Sequence, residues 1–98
     1  MTYKEWCDAF ALLSSDVEKL LKNVHKLEKL KAKGKQKQFN LLFPEVCVNL
    51  AYSKKIFERL DEQKYWHKQH FNEDTWSRYK ECTTKLFYSL DTLISEWR

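Results

Sequence analysis

Glycine and proline are almost missing from this chain, with one of each in 98 residues. Folds built on many tight turns need both, so hairpin-rich all-β architectures are excluded. Cysteine is sparse as well. Cys7, Cys47 and Cys82 are far apart, and none belongs to a Cys-x-x-Cys pair. That pattern argues against a disulfide scaffold and for reduced thiols in a cytoplasmic protein. No apolar run is long enough to span a bilayer, and residues 1–8 lack the basic-then-apolar order of a secretory leader. The expectation is a protein with no membrane partner.

Arginine is scarce too, at three residues against fifteen lysines. Arginine is the bidentate reader of phosphates and base edges, so its scarcity weakens a sequence-reading role. No Gly-rich phosphate loop or Gly-x-Ser-x-Gly elbow occurs, and no His pair brackets a Glu at metalloprotease spacing. No cofactor and no metal is expected.

What remains is apolar periodicity. Hydrophobic residues make up 43% of the chain, enough for one core. Trp6, Phe10, Leu13, Val17, Leu20, Val24 and Leu27 stand at alternating spacings of four and three, as on a helix with one apolar seam. Thr2 and Glu5 read as its capping box, and Gly34 sits where a left-handed C-terminal residue belongs. Helix 1 is expected to run to about Lys33. Ser15 with Glu18 also fits a capping box, so a break near Ser14-Ser15 would give four helices. The ladder passes through Val17 in phase, which favours continuity.

Lys35-Gln36-Lys37-Gln38 reads as a polar connector. Helix 2 is expected to begin between Phe39 and Glu45, with Asn40 as cap and Pro44 in its first turn, and to end near His70. Its seam is Val46 or Cys47, then Leu50, Ser53, Phe57 and Leu60, flanked by Ala51 and Ile56. Asn72 or Asp74 caps helix 3, whose seam is Trp76, Tyr79, Thr83, Leu86, Leu90, Leu93 and Trp97. The predicted fold is an all-α, antiparallel up-down-up bundle of three long helices in a single domain covering residues 1–98. So slender a bundle leaves room for a homodimer.

Two surfaces are candidates for function. Lys22, Lys26, Lys29, Lys31, Lys33, Lys35 and Lys37 crowd into sixteen residues with one acid, Glu28, among them. Lys22, Lys26, Lys29 and Lys33 share one helical face, which could track a phosphate backbone or meet an acidic protein. A solvated face is the plainer reading, because neither arginine nor a free aromatic interleaves. The second surface is aromatic. Tyr65, Trp66, His67, His70, Phe71, Trp76 and Tyr79 fall within fifteen residues, with Trp6 expected at the same pole. Such rings anchor interfaces, or close the end of a core.

Smaller constellations carry less. His67 and His70 offer two nitrogens on one helical face, and zinc needs more ligands than that. Cys47, near the expected start of helix 2, would gain thiolate character from the dipole but has no histidine placed as its base. Arg59, Asp61, Glu62 and His67 form a loose acid–base string, yet Arg59 and His67 lie about 12 Å apart along a helix. The resulting expectation is a non-enzymatic protein-binding module: an inhibitor, an immunity-type factor or a small subunit. Tyr65, Trp66, His67, His70, Phe71 and Trp76 would contact the partner. The alternative is nucleic-acid binding through the lysine stripe.

Overall fold

The computed structural model describes residues 2–63 and 73–98. It contains α1 (Tyr3–Ala32), α2 (Gln36–Gln63) and α3 (Glu73–Trp97), and no strand among the described residues. The chain is all-α. It divides into two compact units, Met1–Leu60 and Asp61–Arg98.

Helix α1 starts and stops on the expected residues. The Glu5 N–H donates to Thr2 Oγ1 at 3.1 Å, and Glu5 Oε2 accepts from the Thr2 N–H at 3.4 Å. At the other end Gly34 adopts φ 70°. The Lys35 N–H reaches back to the Leu30 carbonyl and the Gly34 N–H to that of Lys31, which closes a Schellman turn. There is no break at Ser14-Ser15. Ser14 Oγ donates to the Phe10 carbonyl one turn back, so its hydroxyl is used within the helix. Trp6, Leu13, Leu20, Val24, Leu27 and Leu30 are buried along one side.

Helix α2 begins earlier than its sequence suggests. Gln36 is its first residue, and the connector shrinks to three residues. Pro44 is therefore interior and leaves the Asn40 carbonyl without its i+4 donor. Packing explains why the helix extends through it. The seam continues back by fours and threes from Val46 to Phe43 and Phe39. Phe39 is buried and stacks on Phe43 with centroids 5.5 Å apart. Burying a Phe is worth about 1.5–3 kcal/mol, which offsets most of a proline's cost of about 3 kcal/mol. Gln36 Nε2 adds a bond to Asn40 Oδ1 at 2.8 Å. Val46, Leu50, Ser53, Phe57 and Leu60 are buried as expected, whereas Ala51 is exposed.

Within the first unit the two helices run antiparallel. Trp6 Nε1, near the start of α1, donates to the Leu60 carbonyl near the end of α2 at 3.1 Å. Counting away from that bond at equal rise sets Leu13 level with Ser53, Leu20 with Val46 and Leu27 with Phe39. All six are buried. A long side chain thus faces a shorter one at the first two levels, which lets the helices approach closely.

The second unit joins the last turn of α2 to α3. The Asp61 carboxylate organises it. Oδ1 accepts from Trp76 Nε1 at 2.8 Å, and Oδ2 accepts from Lys80 Nζ at 2.9 Å. Asp74 lies inside the first turn of α3 and is not its cap; the Asn72 alternative lies outside the described residues, as does the expected end of α2 near His70. The buried stripe of α3 is Trp76, Thr83, Phe87, Leu90 and Ile94. The expected ladder named Leu86 and Leu93 instead, and these are half-buried. The stripe runs one residue further round the helix, with Lys80 at the position that the ladder would otherwise fill.

Candidate functional site

Of the aromatic pole, Tyr65, Trp66, His67, His70 and Phe71 lie outside the described residues. Trp76, placed among the partner anchors by its sequence context, is 1% exposed, and its indole N–H is satisfied by Asp61. It is a core side chain here. Tyr79 is half-buried and rests on Trp76 with centroids 5.4 Å apart. Burial pushes its phenol above the usual range, while a hydrogen bond from Thr83 partly reverses this. Asp61 serves structure, and Arg59 is exposed on α2.

Cys47 is the twelfth residue of α2 rather than near its start. Cys7 is half-buried, Cys82 is exposed, and none of the three forms a disulfide. Among the described residues no group of three or more His, Cys, Asp or Glu side chains could hold a metal ion. No described helix is long and apolar enough to cross a membrane.

The lysine stripe is present as expected. Lys22, Lys26, Lys29, Lys31, Lys33, Lys35 and Lys37 are all exposed. Lys22 pairs with Glu18 at 3.5 Å, a solvated contact of little energetic weight. Lys29 and Lys31 stand in the last turn of α1, where the dipole favours cations. Lys33 is the C-cap residue. Part of the stripe therefore serves helix termination.

Beside the lysines lies a second apolar line on α2, outside its buried seam. On α2, Leu41 is 76% exposed, Val48 70% and Tyr52 50%. With Glu45 between them they recur at four, three and four residues, the spacing of a face that packs on another helix. Exposed Pro44 and Ala51 widen the stripe. Its upper end opens into a cleft of about 340 Å³ lined by Lys26 and Leu30 of α1 and by Gln38, Leu41, Leu42 and Glu45 of α2. The cleft therefore joins the lysine face of one helix to the apolar face of the other. A second period-3.6 ladder was legible in α2: Val48 and Tyr52 lie within the expected helix 2 and Leu41 within the range given for its start, but the seam from Val46 to Leu60 reads as the helix's one apolar face.

Comparison with protein-family models, with characterised proteins and with solved structures finds no match for this chain.

Proposed function

We propose that the chain is a non-catalytic protein-binding module that engages its partner through the outer face of the α1–α2 hairpin. Inhibition of that partner, immunity against it, or service as its small subunit are the roles this reading covers. The observation that carries it is the exposed Leu41–Val48–Tyr52 stripe. Three large apolar side chains at helix-packing spacing, rimmed by polar residues, mark an interaction surface. The test is capture of partners from a lysate of the source cells by the tagged full chain and by its Leu41→Asp/Val48→Asp variant. Both positions are exposed, so the variant keeps its fold. A partner retained equally by the two proteins would overturn the reading.

Nucleic-acid binding through Lys22, Lys26, Lys29, Lys31, Lys33, Lys35 and Lys37 is the second reading. It is supported by the exposure of all seven lysines. Neither aromatic next to the connector offers it a free stacking platform, since Phe39 is buried and Phe43 stacks on it. This reading requires affinity that falls steeply with salt and varies little with sequence. Failure to retain RNA or DNA at low salt would end it.

A further inference from the structure

We infer that the cleft and stripe of the α1–α2 hairpin form a seat for one kind of ligand, an amphipathic helix whose apolar line is flanked by acidic residues. This inference rests on the protein-binding reading above and names the partner's chemistry.

Three observations converge on it. The exposed residues of α2 recur at helical spacing, so the complementary object is a helix rather than an extended strand. From Leu41 to Tyr52 the stripe is about 16 Å long, which matches three turns of a partner. The flank supplied by α1 is almost purely cationic: residues 19–37 hold eight lysines and one acid. Lys26 lines the cleft itself, and Lys22 and Lys29 neighbour it on the same helical face. An apolar ridge seated over Leu41, Leu42 and Val48 would bring its own flank alongside these ammonium groups, and carboxylates are the matching chemistry.

The alternatives fit less well. A second copy of the chain would bring together two units that each carry twelve basic against seven acidic residues. A nucleic-acid strand would use the lysines and leave Leu41 and Val48 exposed. Glu45, inside the stripe and on the cleft wall, adds a register mark. It favours a single basic residue on the ligand opposite it.

The test uses the full chain and a fluorescein-labelled synthetic helix of about 18 residues, long enough to hold helical structure. The helix carries a leucine line flanked by glutamates. Two control peptides replace its glutamates by lysines or its leucines by serines. In fluorescence anisotropy at low and moderate salt, the Glu/Leu helix should bind at least about tenfold more tightly than either control. Lys22→Glu/Lys26→Glu should invert the charge preference, and Leu41→Asp/Val48→Asp should abolish binding while the circular dichroism spectrum is unchanged. Equal binding of all three peptides would overturn the inference. So would charge-dependent binding that the Leu41→Asp/Val48→Asp variant retains, since the lysines alone would then explain it. Displacement of the bound helix by equimolar single-stranded DNA would transfer the site to nucleic acid. A wild-type dimer in sedimentation that the Leu41→Asp/Val48→Asp variant dissolves would transfer it to a second copy. If the synthetic helix fails while the captured cellular partner still depends on Leu41 and Val48, the acidic chemistry is wrong and the protein-binding reading survives.

Discussion

The Met1–Leu60 unit carries twelve basic and seven acidic residues, whereas the Asp61–Arg98 unit carries six and seven. Their exposed apolar surface divides the same way. Tyr3, Leu12, Leu21, Leu41, Val48 and Tyr52 belong to the first unit, and among the described residues of the second only Tyr88 is a large exposed hydrophobe. The second unit also matches its charges internally, through Asp61 with Lys80 and Glu81 with Lys85. The contrast separates two ways of using a helix. In the first unit one face of each helix is spent on the shared seam, and the opposite faces keep an excess of lysine and exposed apolar area. In the second, polar groups near the start of α3 are tied to the end of α2. Among the described residues, exposed apolar surface is therefore concentrated in the hairpin.

The largest expected effect tests whether the second unit is held by packing or by its polar contacts. Trp76→Ala removes a side chain that is 1% exposed and should cost about 3–5 kcal/mol in urea unfolding. Leu20→Ala in the hairpin seam should cost about 2–5 kcal/mol by the same cavity mechanism. Trp76→Phe keeps most of the ring and loses only the bond to Asp61, so about 1–2 kcal/mol is expected. If Trp76→Phe proves as costly as Trp76→Ala, the bond to Asp61 dominates and the two units differ more than their burial suggests.

The class of fold was legible because the ladders of α1 and α2 are long and keep phase, and because Thr2, Glu5 and Gly34 are strong local signals. Boundaries were less legible where tertiary packing overrides a local preference. Pro44 argues for a helix start when read alone, yet burial of Phe39 carries α2 eight residues past it. In α3, adjacent apolar pairs at 86–87 and 93–94 fit two neighbouring seams equally well, and only the packed chain chooses Phe87 and Ile94. Trp76 looked like an interface anchor because composition cannot tell a buried indole from an exposed one. Its partner, Asp61, is fifteen residues away and invisible to any helical period. The Leu41–Val48–Tyr52 stripe was overshadowed by the stronger seam through Val46, Leu50 and Phe57, because a sequence pattern does not say which of two apolar lines is packed.

A smaller effect, of opposite sign, probes the hairpin seam. Ser53 is fully buried level with Leu13, and among the described residues its Oγ has no hydrogen-bond partner. A buried hydroxyl left unpaired is a cost, and alanine is also the better helix former. Ser53→Ala should therefore stabilise the protein by about 1 kcal/mol in the same unfolding measurement. Loss of stability would mean that the hydroxyl is hydrogen-bonded in solution, and that the seam is less purely apolar than its burial implies.

The smallest effect concerns Tyr79 and is visible only in alkali. Burial holds its phenol above the ordinary value of 10.0, with the Thr83 hydroxyl pulling it part of the way back. The folded chain therefore grips that proton more tightly than the unfolded chain does. The associated stability is complete below the ordinary tyrosine pKa, and it is lost as pH rises through the higher folded value, because the unfolded state ionises first. Tyr79→Phe has no such proton to lose. The wild-type urea midpoint should fall more steeply than that of Tyr79→Phe above about pH 10, and the two slopes should match near pH 8. Tyr3, whose phenol is raised by a hydrogen bond with Cys7, is present in both proteins and cancels from the difference. Identical alkaline slopes would place the Tyr79 phenol in water. The packing beside Trp76 would then be open to solvent, and the contrast between the closed packing around Trp76 and a hairpin with surface to spare would weaken where it is drawn most sharply.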